Sequence, residues 1–147
     1  MSAPPIDPTE FAPDGLSRWA GMGDRRLISP GREHRVDLLY AREPPFGDSY
    51  HEALVDGVKL PGFMWGCMFA FTPDGRFFAG SWMERLYERR TIVIDGFDHC
   101  YFVLPVYIYD FSFRWPLIQG VNDARDLSYA FHGRERWTAF NAGLLAG

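Results

Sequence analysis

Four histidines are the first residues to test for chemistry: His34, His51, His99 and His132. They are dispersed. None forms the H-x-x-x-H or H-E-x-x-H spacing that sets two imidazoles on one helix face around zinc. Glu33 precedes His34 and Asp98 precedes His99, but adjacent strand residues face opposite ways and make no dyad. Nucleophilic catalysis needs an activated Ser or Cys beside a base. Gly80-Ser81-Trp82 lacks the second glycine of a nucleophile elbow. Cys67 and Cys100 form no C-x-x-C pair, and only His99 stands beside either as a base. They read as buried free thiols, with one disulfide left open. Asp95, Asp98 and Asp110 are carboxylates that folding could assemble, yet such residues are commonly turn formers or solvated edges. No G-x-x-x-x-G-K phosphate cradle occurs. These spacings point away from an enzyme and require no cofactor and no metal.

Recognition chemistry is better represented. The segment from Arg42 to Glu52 carries Phe46, Asp48, Tyr50 and His51 among turn residues, and Pro44-Pro45 stiffens it. A stiff loop presenting aromatics on a β scaffold suits a protein partner. A loop folded back over its own sheet would have the same composition. The segment from Met83 to Arg90 is a second candidate, with Glu84, Tyr87 and Glu88 as its binding residues. It occupies the matching place in a repeated unit, so the two loops are expected to project from one edge.

Composition sets outer limits. The chain has 147 residues, 47% of them hydrophobic, which suits one domain with a real core. Aromatics make up 17%, with Phe alone occurring 13 times, and this favours strands. The net charge is −4, and the short basic pairs Arg25-Arg26 and Arg89-Arg90 lie near acidic residues. A nucleic-acid binder is expected to show a basic stripe, so that class is disfavoured. Lys59 is the one lysine among 15 basic residues, a bias that a skewed genomic base composition explains. The first residues have neither a basic start nor an apolar run, and no 18-residue apolar stretch occurs. The expectation is a cytoplasmic protein that neither carries a signal peptide nor spans a membrane.

The elements that must position these loops follow a repeat. Ser29-Pro30, Thr72-Pro73 and Trp115-Pro116 stand 43 residues apart, each after a short apolar run. Val55-Asp56-Gly57 and Ile94-Asp95-Gly96 recur as hairpin signals, with Phe131-His132-Gly133 as a looser copy. Each unit therefore reads as strand, proline turn, strand, variable loop, strand, Asp-Gly turn, strand. The second unit predicts strands at 67–72, 77–83, 89–95 and 99–104; the first runs from Arg26 to Leu60. Odd positions from Tyr107 to Trp115 are all aromatic, which gives one strand face that is core or an aromatic binding surface. In the second case Asp110, Arg114 and His99 would converge in a pocket of a small-molecule-binding or hydrolytic β-sandwich or barrel. Residues 1–24 are expected to form an arm with one or two helical turns near 14–20. The β core spans 25–140, with 134–140 as either a returning strand or a helix start, and 141–147 is a loose tail.

The block from Phe71 to Trp82, with its Thr72-Pro73-Asp74-Gly75-Arg76 turn, resembles the strand-turn-strand of TolB-type and WD40-type propeller blades, and Arg90 to Gly96 resembles the third strand and turn. The likeness covers 67–104 well, 26–60 moderately and the rest poorly; the Trp-Asp and Gly-His hallmarks of WD40 blades are missing. It implies repeated four-stranded units. Three units cannot close an ordinary propeller, which takes about four to eight blades. The expected fold is a mainly β antiparallel meander of three blade-like repeats, forming a twisted sheet or two packed sheets. The expected role is a non-enzymatic protein-binding module of unknown oligomeric state, of the immunity type that neutralises a toxin by direct binding.

Overall fold

The computed structural model describes residues 8–20, 23–45 and 47–140. The chain forms β1 (Pro8–Glu10), β2 (Arg18–Trp19), β3 (Arg25–Ile28), β4 (Arg35–Arg42), β5 (Tyr50–Val55), β6 (Val58–Lys59) and β7 (Phe63–Phe71). It continues through β8 (Phe77–Met83), β9 (Arg90–Asp95), β10 (Cys100–Val103), β11 (Phe111–Arg114), β12 (Leu117–Gly120), β13 (Ser128–Ala130) and β14 (Thr138–Ala139). An 11-stranded sheet runs in the order β1-β3-β4-β5-β7-β8-β9-β10-β14, with β2 on β7 and β6 on β5. All its pairings are antiparallel except β1 with β3. A second sheet contains β11-β12-β13.

Each of the three proline turns joins two consecutive antiparallel strands: β3 to β4, β7 to β8, and β11 to β12. The second shows the local chemistry. Thr72 Oγ1 donates to Asp74 Oδ1 at 2.6 Å and accepts from the Phe77 N–H at 3.1 Å. Gly75 takes a φ of 80° that its neighbours could not adopt without strain. A Cβ on Gly75 would lie 2.4 Å from the Pro30 carbonyl oxygen, so the first two proline turns also pack on each other.

Alternation distributes the core. Phe78, Ile92 and Ile94 face one side of the large sheet with Leu27, Val36, Leu38, Val55 and Phe69. Phe77, Ala79 and Val93 face the other side and pack on Phe111, Phe113 and Ile118 of the small sheet. The molecule is therefore two packed layers, with the small sheet on the back of β7-β8-β9. Phe111, Phe113 and Ile118 are fully buried there, each worth about 1.5–3 kcal/mol of burial. Trp115 stacks at 4.0 Å on Phe77 and at 4.6 Å on Phe131, joining the layers at their rim.

Four expectations are corrected. No α-helix occurs among the described residues: 14–20 holds a turn and β2, because its backbone pairs with β7 and its Leu16 bridges to Ser112. The aromatic run from Tyr107 to Trp115 is not one strand. Only Phe111–Arg114 is β11; Phe111 and Phe113 are core, while Tyr109 and Trp115 remain about 40% exposed. Asp95-Gly96 is not a two-residue turn. The β9–β10 connection spans 96–99, and the positive φ falls on His99 because Asp95 accepts from the Phe97 N–H at 2.9 Å and holds a wider loop. By contrast Asp56 and Gly57, with φ of 50° and 85°, do form the tight β5–β6 turn. Finally, the 134–140 stretch contributes β14, which leaves the third unit and pairs with β10. Of the expected arm at 1–24, residues 8–10 and 18–19 are strands, while 1–7, 21 and 22 lie outside the described residues, as do the tail at 141–147 and Phe46.

Glu135 anchors the end of the small sheet. Its side chain is 2% exposed. Burial alone would raise its carboxyl, but donors from Tyr129 and from the His132 and Gly133 N–H groups outweigh this and hold it down to about 2. The stabilisation is therefore present above the ordinary carboxyl value and is lost as pH falls from 4.5 toward 2. Glu135→Gln will flatten that part of the pH dependence, read as urea midpoints on either side of the window; an unchanged slope would contradict it.

Candidate functional site

The site is built on an irregularity in β7. Its register with β8 shifts between Met64 and Phe69. Before the shift β7 pairs with β5, placing Trp65 opposite Tyr50; after it, β7 pairs with β2. Trp65 thereby lies under both predicted loops. Ser49 accepts from the Gly66 N–H at 2.7 Å, tying the β4–β5 loop to β7. The Trp65 indole N–H donates to the Glu88 carbonyl at 2.8 Å, tying the β8–β9 loop to the same ring. The Arg89 guanidinium sits 4.1 Å over the Trp65 ring and reaches Asp48 at 3.3 Å. The two loops, remote in sequence, meet along one edge.

Two clefts flank Arg89. One, of about 290 Å³, is lined by Pro44, Pro45, Gly47, Trp65, Tyr87 and Arg89. The other, of about 400 Å³, runs from Glu88, Arg89 and Arg90 to Leu104, Pro105, Val106 and Tyr107. Beside them the tip of the β8–β9 loop holds out two large apolar side chains, Leu86 at 57% and Tyr87 at 56% exposure. That tip is braced. Tyr87 N–H points to the Met83 sulfur at 3.2 Å, and Glu88 N–H donates to the Arg85 carbonyl at 3.2 Å. The Glu88 carboxylate accepts from Arg85 N–H and from Arg90. Tyr87 itself adopts φ of 69°, a conformation costly for a bulky residue. Tyr87→Gly will relieve this and raise stability by about 0.5 kcal/mol. A lowered urea midpoint would show that the tyrosine ring packs enough to offset the strain.

The predicted residues divide clearly. Asp48, Glu84 and Tyr87 are exposed and Glu88 is half-buried, all on the converging loops. Tyr50 and His51 belong to β5 and are buried, a correction to their place as contact residues. Tyr50 packs edge-on against Phe63 and Trp65. His51 donates from Nε2 to the Gly23 carbonyl at 2.9 Å, and burial pushes its imidazole below the ordinary value. Both support the loop from beneath. Trp65 escaped the sequence because nothing in an apolar run marks the ring that loops will fold onto; Tyr107, first of the alternating aromatics, lines the second cleft.

Other polar groups are committed elsewhere. Ser81 Oγ lies 3.0 Å from the Tyr107 hydroxyl. Burial raises the Cys67 thiol; burial and then the charges of Asp95 and Asp98 push Cys100 up to about 11. Both thiols are unpaired and are protonated at neutral pH, the opposite of an activated nucleophile. Asp110 accepts from Ser17 and Asn122, Arg114 donates to the Asp14 carbonyl, and His99 lies 3.5 Å from Asp56, so this trio does not converge on one ligand. Asp56 also takes His34 Nδ1 at 2.8 Å, joining three turns through one carboxylate. Among the described residues no group of three His, Cys, Asp or Glu side chains is placed to hold a metal ion. No helix among them is long and apolar enough to cross a membrane.

Comparison of the chain with protein-family models, with curated proteins and with solved structures finds no match in any of the three.

Proposed function

We propose that this chain is a non-enzymatic protein-binding module whose contact face is the junction of the 43–49 and 84–89 loops. One observation carries the reading: Trp65 and Arg89 lock the two loops together while Leu86 and Tyr87 stay more than half exposed. A braced loop loses little entropy on binding, and an exposed tyrosine beside an arginine has the residue types enriched at energetic centres. Within that class we assign it to the immunity type, which neutralises a toxin by direct binding. Mild acidity supports this class, and thiols raised by burial supply no cysteine nucleophile for a hydrolase. The blade-like description of the fold belongs to the same proposal; the shared placement of the three proline turns supports it, and the departure of β14 to β10 limits it.

The test is affinity purification of the full chain from its native host, followed by repetition with Leu86→Ala and Tyr87→Ala. A partner retained by the parent chain and lost by both variants supports the reading. A partner held equally by all three places its contact face elsewhere.

A further inference from the structure

We propose that the groove across Arg89 takes an extended acidic segment of the partner, with one side-chain carboxylate on Arg89 and apolar side chains in the two flanking clefts. The inference rests on the protein-binding reading above and adds the chemistry of what is bound. Arg89 has the position such a contact needs. Its guanidinium is stacked 4.1 Å over Trp65 and therefore oriented before any partner arrives. A guanidinium has five N–H donors, and Asp48 takes a single contact at 3.3 Å. That contact joins side chains 35% and 46% exposed, a class of ion pair that water weakens and that an incoming carboxylate can replace.

The surroundings decide between ligands. On one side the wall is Pro44, Pro45, Trp65 and Tyr87; on the other it is Leu104, Pro105, Val106 and Tyr107. Aliphatic and aromatic side chains on both sides of a cation match an apolar–acidic–apolar chain. The second basic group, Arg90, lines the same groove; of the two neighbouring carboxylates, Asp48 holds Arg89 by one exposed contact and Glu88 is engaged by Arg90 and the Arg85 N–H. A lysine-bearing segment would have to compete with Arg89 and Arg90 for these two carboxylates. A planar, forked donor also favours a carboxylate over its uncharged amide, because charge-assisted pairs are about twice as strong.

The probe is a fluorescein-labelled octapeptide with one glutamate between two leucine pairs, set against its glutamine counterpart, and read by anisotropy with the full chain. The glutamate peptide is expected to bind about tenfold tighter than the glutamine peptide, and the preference is expected to fade as pH falls below about 4.3. Arg89→Lys, checked for an unchanged melting curve, is expected to remove most of the preference. Equal binding of the two peptides, absence of binding, or an undiminished preference in Arg89→Lys would overturn the acidic-segment assignment. The loop reading fails separately: a purified partner indifferent to Leu86→Ala and Tyr87→Ala removes it whatever the peptides do.

Discussion

Changing Leu86 and Tyr87 together to alanine will weaken partner binding by about 100-fold or more and leave the melting temperature within a degree or two of the parent. The argument is geometric. Both side chains are more than half exposed, so they contribute little to the core and their loss opens no cavity. The braces of their loop use backbone groups, Met83, Glu88 and Trp65, none of which is changed. The cost must therefore appear in association. Two central anchors at about 2 kcal/mol each would multiply to more than 100-fold, and non-additivity reduces that figure without abolishing it. Titration calorimetry against the purified partner, paired with a thermal scan, measures both sides. A large fall in melting temperature would mean the loop is part of the core.

Phe113→Ala is expected to have the opposite signature: a loss of about 3–5 kcal/mol in stability. Phe113 is fully buried between the sheets and lies 6.3 Å from Phe77 and 6.5 Å from Trp115. Its removal leaves a void that strands on both sides are too constrained to fill. A domain of ordinary stability, about 5–15 kcal/mol, would become marginal. The small sheet holds to the large one largely through this layer, so its amides should lose exchange protection first. Chemical denaturation gives the total, and hydrogen exchange on β11 to β13 gives its place. A loss under about 1 kcal/mol would mean the layers are held by the Trp115 rim instead.

How far these features were legible in the sequence depended on how local their causes are. The proline and Asp-Gly turns at 72–76 and 56–57 are set by residues within four positions, and both formed as expected. Strands β8 and β9 follow alternation that any strand imposes, and they match the predicted spans within a residue. The Asp95-Gly96 turn failed because the Asp95 carboxylate, which accepts from the Phe97 N–H, is also held by Arg76, 19 positions away, at 2.8 Å. The expected helical turns near 14–20 failed because β7, some 50 residues distant, offers backbone partners there. At the site, the loops were visible as polar interruptions between apolar runs. Their meeting point was not. It depends on the register shift in β7 that turns Trp65 under both, and no local pattern encodes which buried ring will serve two loops. Tyr50 and His51 were misplaced for the related reason that strand β5 begins two residues after Asp48, so residues counted as loop are pairing positions facing the core.

The most direct test of the central claim is site-specific photo-crosslinking in the native host. A benzophenone side chain would replace Tyr87 in one version of the chain and Leu117 in another, the latter 41% exposed on the small sheet. The account predicts one discrete crosslinked partner from position 87, displaced by unlabelled parent chain, and none from position 117. The same partner captured from 117 with nothing from 87 would contradict it.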